Sequence, residues 1–182
     1  MHHNFNYERA LEFREKYIPL SDVLEVANPL PTDILVDIGA GDGFYSITFA
    51  KKVRKVYYVD PSETARELLR KNIEKTPVDN LTVVSDDVCE NLDIAGYNKV
   101  FFSNSFHDII CREDLIDRLK QRGSENLEII LTEFKLESEI GPPVEIRIDQ
   151  KHLDRIFSSK GFKLMKRIEL RYHYISRFGR RS

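Results

Sequence analysis

Four groups of side chains in this 182-residue chain carry types that could do chemistry together. Asp37 precedes the alternating run Gly39-Ala40-Gly41-Asp42-Gly43, with Phe44 next. Asp60-Pro61, Asp86-Asp87 and Asn104-Ser105-Phe106-His107 follow. Alternate glycines let a backbone turn sharply and approach a ligand without a Cβ in the way. A carboxylate such as Asp60 can accept from both hydroxyls of a vicinal diol, and ionised acceptors make the stronger bonds. Asp86 could accept from an amino group on a ring, with Asp87 beside it. The imidazole of His107 titrates near neutrality, which suits a general base. Asp37 and Asp42 would repel a pyrophosphate and attract a cation. Taken together, these groups suit a ligand with a cationic centre, a ribose diol and a base.

Each group closes a short apolar run, and those runs must position it. Residues 34–38, 56–59, 81–84, 99–103 and 127–132 read as buried strands. Helical stripes lie between them: Phe44, Ile47 and Phe49; then Ala65, Leu68, Leu69 and Ile73 over 63–74; then Leu115, Ile116 and Leu119 over 113–121, with Gly123 as its stop. The unit between strands three and four is the least defined. Strand alternating with helix implies a doubly wound, mainly parallel sheet, and such sheets bind ligands at the carboxyl ends of their strands. A helix over 149–160 with Leu153, Ile156 and Phe157 inward stops at Gly161. Residues 162–170 and 171–178 then follow almost without a break, so they must pair antiparallel. The expected fold is α/β, a doubly wound, mainly parallel seven-stranded sheet with a C-terminal antiparallel hairpin.

Two segments flank this pattern. Residues 6–18 place Tyr7, Ala10, Leu11, Tyr17 and Ile18 at helical spacing, and Pro19 ends that stretch. Ser21 can cap a second short helix carrying Val23, Leu24 and Ala27. Residues 1–30 therefore read as an N-terminal helical cover on a single domain, 1–182. Residues 133–148, with Gly141-Pro142-Pro143, are long for a passive link and suit a cover over the site. Tyr45 could line the site, although its spacing also suits the core.

Composition narrows the class. Hydrophobic residues are 41% and charged ones 32%, ordinary for a globular protein. No apolar run is long enough to span a bilayer. Cys89 and Cys111 are the only cysteines, so a disulfide framework is not expected and a reducing cytoplasm is the default location. No Cys/His cluster has metal-ligand spacing, and no metal is expected. The net charge of −2 is uneven: ten basic residues from Lys151 onward stand against two acidic ones. Such a tail can attract nucleic acid or form a solvated face.

Val36-Asp37-Ile38-Gly39-Ala40-Gly41-Asp42-Gly43 resembles the first motif of the class I S-adenosylmethionine-dependent methyltransferases. Val59-Asp60 resembles their ribose-binding position, Val84-Ser85-Asp86-Asp87 their adenine-side motif, and Ser103-Asn104-Ser105-Phe106-His107-Asp108-Ile109 their strand-four motif. Asp108 stands where that motif often has a second histidine. Thr132-Glu133-Phe134-Lys135, Gly141-Pro142-Pro143, Gly161-Phe162 and Tyr172-His173-Tyr174 are similar to the small type 11 branch, related to quinone and arsenite methylating enzymes. The resemblance implies S-adenosylmethionine as cofactor, a Rossmann-like fold, and binding by Asp37, Gly39, Ala40, Gly41, Gly43, Phe44, Asp60, Pro61, Asp86, Asp87, Asn104 and Ser105. It places Asp37 near the methionine end, bonding either the ammonium or the N–H groups of the turn. His107 is the candidate base, and a small molecule is the expected acceptor.

Other functions remain in view. A nicotinamide dinucleotide is disfavoured, because Phe44 stands where Gly-x-Gly-x-x-Gly needs its third small residue. Methylation of RNA or DNA through the basic tail is disfavoured, because no proline follows Asn104. A non-catalytic cofactor-binding subunit would bind S-adenosylhomocysteine and transfer nothing. Arsenic chemistry is disfavoured by the two cysteines.

Overall fold

A computed structural model describes Glu12, Arg14 and residues 16–181. Much of the expected first helix, including Tyr7, lies outside the described residues, as do His2 and His3. Helix α1 (Leu20–Ala27) leads into β1 (Ile34–Ile38), α2 (Phe44–Ala50), β2 (Lys55–Val59), α3 (Glu63–Lys75) and β3 (Leu81–Val84). Then come β4 (Lys99–Ser103), α4 (Arg112–Arg122), β5 (Glu128–Phe134), α5 (Gln150–Ser159), β6 (Phe162–Glu169) and β7 (His173–Arg180). The strands form one seven-stranded sheet ordered β3-β2-β1-β4-β5-β7-β6. The first five strands are parallel; β7 runs antiparallel to both β5 and β6. This is the expected architecture, with the C-terminal hairpin inserted edge-first against β5.

Several local expectations change. The segment between β3 and β4, the least defined in the sequence, holds no helix; Val88, Leu92, Ile94 and Tyr97 are buried from largely irregular backbone. Ser21 does not cap α1, which begins at Leu20 after Pro19 without a side-chain cap. In α2 it is Tyr45, 4% exposed, that enters the core, while Phe44 stays half-buried. The ring of Tyr45 packs edge-on against Phe101 at 5.0 Å, so Tyr45 serves the core. Cys89 and Cys111 are joined in a disulfide, against expectation, because the turn after β3 and the start of α4 bring them together.

Two cores sandwich the sheet. Val36, Phe102, Leu131, Leu119 and Phe157 lie on the face covered by α4 and α5. Leu35, Phe101, Ile130, Val26 and Phe49 lie on the face covered by α1 and α2. Such alternation along buried strands is what two covered faces require. At the amino ends, Lys99 is 3% exposed and ion-paired with Asp33 and Glu128, while Asn98 bridges Asp33 and the N–H of Ile34. A buried cation needs such partners. This network levels β1, β4 and β5, and Ile38 comes to lie beside both Val59 and Phe102. The carboxyl ends therefore finish on one rim.

Candidate active site

The glycine turn leaves β1 at the centre of that rim. Gly39 and Ala40 donate their N–H groups to the Val59 carbonyl, and Gly43 donates to Ala40. Gly39, Gly41 and Gly43 have φ of 68°, 56° and 78°, a region that L side chains avoid. A Cβ on Gly39 would meet Ser105 Cβ at 2.6 Å, and one on Gly43 would meet Leu69 at 2.2 Å. Ala40 packs against Ile47, Tyr58 and Leu69. The Tyr58 hydroxyl donates to the Gly41 carbonyl at 2.7 Å. The Phe44 N–H, which opens α2, is taken by Asp42 Oδ1 at 3.2 Å.

The carboxylates divide into different jobs. Asp60, 8% exposed, accepts from the N–H of Gly41 through Oδ2 and from the N–H of Ser62 through Oδ1, both at 2.9 Å. It ties the end of β2 to the turn, and each oxygen retains further acceptor capacity. Burial raises its pKa, against the two N–H bonds. Pro61 is exposed beside it. Asp37, 1% exposed, accepts from the Ser46 hydroxyl at 2.6 Å and from none of the turn's N–H groups. It braces β1 against α2, which replaces the expected ordering of the turn. Burial pushes its pKa up to about 7, with Asp60 and Asp42 adding to the rise and Ser46 and Arg14 opposing it.

The rim is less acidic than its sequence. Arg14 forks onto Asp42 at 3.1 and 2.8 Å, and its guanidinium lies 4.2 Å over the Phe44 ring. The segment before α1 is thereby fastened to the glycine turn. Asp86 is half-buried after β3. Asp87 is exposed and accepts from the Cys89 N–H at 2.8 Å, a local turn bond.

The loop after β4 completes the rim. Asn104 takes a left-handed φ of 52°, which asparagine tolerates better than most residues. Its Oδ1 is buried and without a hydrogen-bond partner among the described residues. Ser105 donates its hydroxyl to the Ile38 carbonyl at 2.7 Å, seating the loop against the glycine turn. His107 follows in a 3-10 turn (Phe106–Asp108) and is 8% exposed. Its Nδ1 lies 2.7 Å from Glu133 Oε2, and its backbone N–H donates to Glu133 Oε1 at 3.2 Å. Its Nε2 lies 3.5 Å from Asp108, which is exposed. Burial lowers the His107 pKa, but the bond and charge of Glu133, with Asp108, outweigh it and leave the pKa raised.

Residues 35–123 match a family described as the methyltransferase domain, covering β1 through α4 and most of the rim. Those residues are similar to the methyltransferase domain. The fold of the whole chain agrees. A S-adenosylmethionine-dependent methyltransferase from Aquifex aeolicus superposes with a TM-score of 0.82 at 18% identity, covering 98% of this chain and 100% of that one. A type 11 methyltransferase structure from Sulfolobus solfataricus superposes at 0.69 with 28% identity over 92% of each chain. Among curated relatives, a cobalt-precorrin-6B C(15)-methyltransferase (decarboxylating) of Methanococcus maripaludis is 31% identical over 97 residues, 53% of this chain and 51% of that one. The chain spans about half the length of the curated relatives it matches.

Beyond the matched domain, Arg147 organises the backbone of residues 135–147, inside the segment 133–148 that reads as a cover in the sequence. Its guanidinium donates to the carbonyls of Pro142, Leu136 and Ser138 at 2.8, 3.0 and 2.6 Å. Gly141 lies flat on the Phe134 ring, where a Cβ would come within 2.5 Å. The Phe134 ring in turn stands edge-on to His107, 6.4 Å between centroids. That segment therefore borders the side of the rim that holds His107. The sequence assigns no site role to Arg14 or Arg147, and it places Glu133 in a motif without a partner. Only Glu133 left a signal, a lone charge inside the apolar run 129–134.

Proposed function

We propose that this chain transfers a methyl group from S-adenosylmethionine to a small-molecule acceptor, as a single domain with residues 1–30 as its cover. The observation that carries the reading is Asp60. It is a buried carboxylate fixed by two backbone N–H groups, at the centre of a methyltransferase domain, with acceptor capacity left for a ribose diol. The unpartnered Asn104 Oδ1 supplies a further buried acceptor on the same rim. Gly39 to Gly43 would hold the amino-acid end of the cofactor. Asp86 would face its base, and Phe44 and Ser105 would close the sides. When bound, the cofactor supplies an activated methyl on a sulfonium. The protein's task is then alignment and the exclusion of water, and orientation can supply about 7–11 kcal/mol in the best cases.

Within that reading a tetrapyrrole is the favoured acceptor. Six of the relatives found are named as cobalt-precorrin-6B methyltransferases, at 29–35% identity. Methylation of nucleic acid is less well supported, because much of the basic tail is engaged within the fold. Lys160, Lys166, Arg167 and Arg177 are paired with Asp117, Glu25, Asp154 and Glu128.

The test is calorimetric titration with S-adenosylhomocysteine, with NAD as the contrast. Saturable heat is expected from the first alone. Asp60→Ala should weaken it at least about tenfold, roughly 1.4 kcal/mol. No saturable heat with the wild-type chain would overturn the proposal.

A further inference from the structure

Glu133 is a buried carboxylate that no step above uses. It is fully buried, one residue from the end of β5, and both of its oxygens are spent on His107. One holds the backbone N–H of His107 and the other faces ring Nδ1. Such a two-point grip fixes both the position and the rotation of an imidazole. Facing a carboxylate oxygen, Nδ1 is placed to carry a proton that Glu133 accepts, which would leave Nε2 as the working atom. The charged groups around the ring are few. Glu133 approaches from β5, Asp108 from the same turn near Nε2, and Arg112 from α4, donating to the His107 carbonyl at 3.4 Å. The neighbouring Phe134 ring stands edge-on to the imidazole, with Gly141 packed on its other atoms.

Resting on the methyl-transfer reading, we propose that Glu133 is a positioning residue that orients His107 to take a proton from the acceptor, which is therefore a nucleophile carrying a removable proton. In the step, the acceptor's bond to hydrogen breaks and the proton moves to Nε2. The electron pair left behind forms the new bond to the methyl carbon. The carbon–sulfur bond breaks with its pair retained on sulfur. His107 returns its proton to solvent, and Glu133 remains ionised throughout. An acceptor that arrives without a removable proton would need neither residue.

Two measurements test this. The first needs no acceptor: nitrogen-15 NMR of labelled histidine in the intact chain. His107 should populate the Nδ1–H tautomer in the wild type, and Glu133→Gln should lower its midpoint. An unmoved midpoint, or an Nε2–H tautomer, overturns the proposal. The second follows methyl label from S-adenosylmethionine into a small-molecule cell extract between pH 5.5 and 9. Glu133→Gln should lower the plateau rate by about 10²- to 10⁴-fold, the span of general-base catalysis, and Glu133→Asp should recover part of it. Adding Glu133→Gln to His107→Gln should cost nothing further, because Glu133 acts through His107. Wild-type rate and pH profile in Glu133→Gln overturn the proposal, provided S-adenosylhomocysteine affinity is unchanged. If the wild-type chain labels nothing, the methyl-transfer reading fails, and the NMR result still decides whether Glu133 governs His107.

Discussion

The guanidinium of Arg14 closes on both oxygens of Asp42, at 3.1 and 2.8 Å, across 28 residues of chain. It joins the segment before α1 to the turn that follows β1. Both side chains are largely buried, 14% and 13% exposed, so the pair is shielded from salt more than a surface bridge. The planar fork and the stacking on Phe44 are features that lysine cannot reproduce. Arg14→Ala leaves Asp42 with only the Phe44 N–H and should cost about 1.5–3 kcal/mol in urea unfolding, the range for hydrogen bonds to charged groups. Arg14→Lys should recover less than half. Trypsin should cut after Lys16 faster in Arg14→Ala than in the wild type. Equal unfolding midpoints and equal cleavage rates would show that the segment is held elsewhere.

Gly39 faces two restrictions at once. Its φ of 68° disfavours a side chain, and Ser105 Cβ occupies the space that a Cβ would need. Gly39→Ala should therefore push the β4 loop away from the turn, break the Ser105 bond to Ile38, and weaken S-adenosylhomocysteine by tenfold or more. Ser105→Gly removes the clash but not the backbone strain of about 1–2 kcal/mol. The double variant should accordingly bind better than Gly39→Ala alone and worse than the wild type. Identical affinities for the single and double variants would mean that the clash with Ser105 is not what matters.

The order of the strands and their shared rim were legible because buried parallel strands are short apolar runs with loops at their ends. Asp37, Asp60 and Asn104 could be placed on the rim for that reason alone. Their partners could not. Asp37 reads as a ligand for a cation or for the turn, yet it bonds Ser46, because α2 folds back over β1 and buries both. Glu133 lies inside β5, beyond the run 127–132 that reads as a strand. Its partner His107 stands 26 residues earlier and is invisible to any local pattern. Arg14 neutralises part of a rim that looks acidic from its own residues. The segment between β3 and β4 gives no period to read, because Val88, Leu92 and Ile94 are buried from largely irregular backbone.

The Cys89–Cys111 bond closes a loop between two cysteines 22 residues apart, with Cα atoms 5.6 Å apart. It ties the turn after Asp87 to the N-terminal end of α4, four residues beyond His107. Arg118 supports the same junction by donating to the Val88 carbonyl at 2.6 Å. A closed loop of that length restricts the unfolded chain, and reduction should cost about 3 kcal/mol. Urea unfolding with and without a dithiol reductant measures it, and Cys111→Ser should abolish the difference. Two thiols alkylated in the folded, unreduced protein would contradict the bond.

Asp37 sets a pH dependence with a definite sign. Its pKa stands at about 7 in the folded chain against an ordinary 3.8, because burial penalises the ionised form. Between those values the folded chain holds a proton that the unfolded chain has released. Stability should therefore fall as pH rises from about 4 to 7, then level off. The shift corresponds to an upper bound of about 4 kcal/mol. Asp37→Asn keeps the shape and an acceptor for Ser46 while removing the ionisation. Relative to the wild type, it should raise the melting temperature at pH 8 and change it little at pH 4.5. A variant that melts below the wild type at pH 8, while matching it at pH 4.5, would show that the ionised carboxylate is needed there instead. In that case Asp37 stabilises the turn as an anion, and Arg14 and Ser46 outweigh its burial.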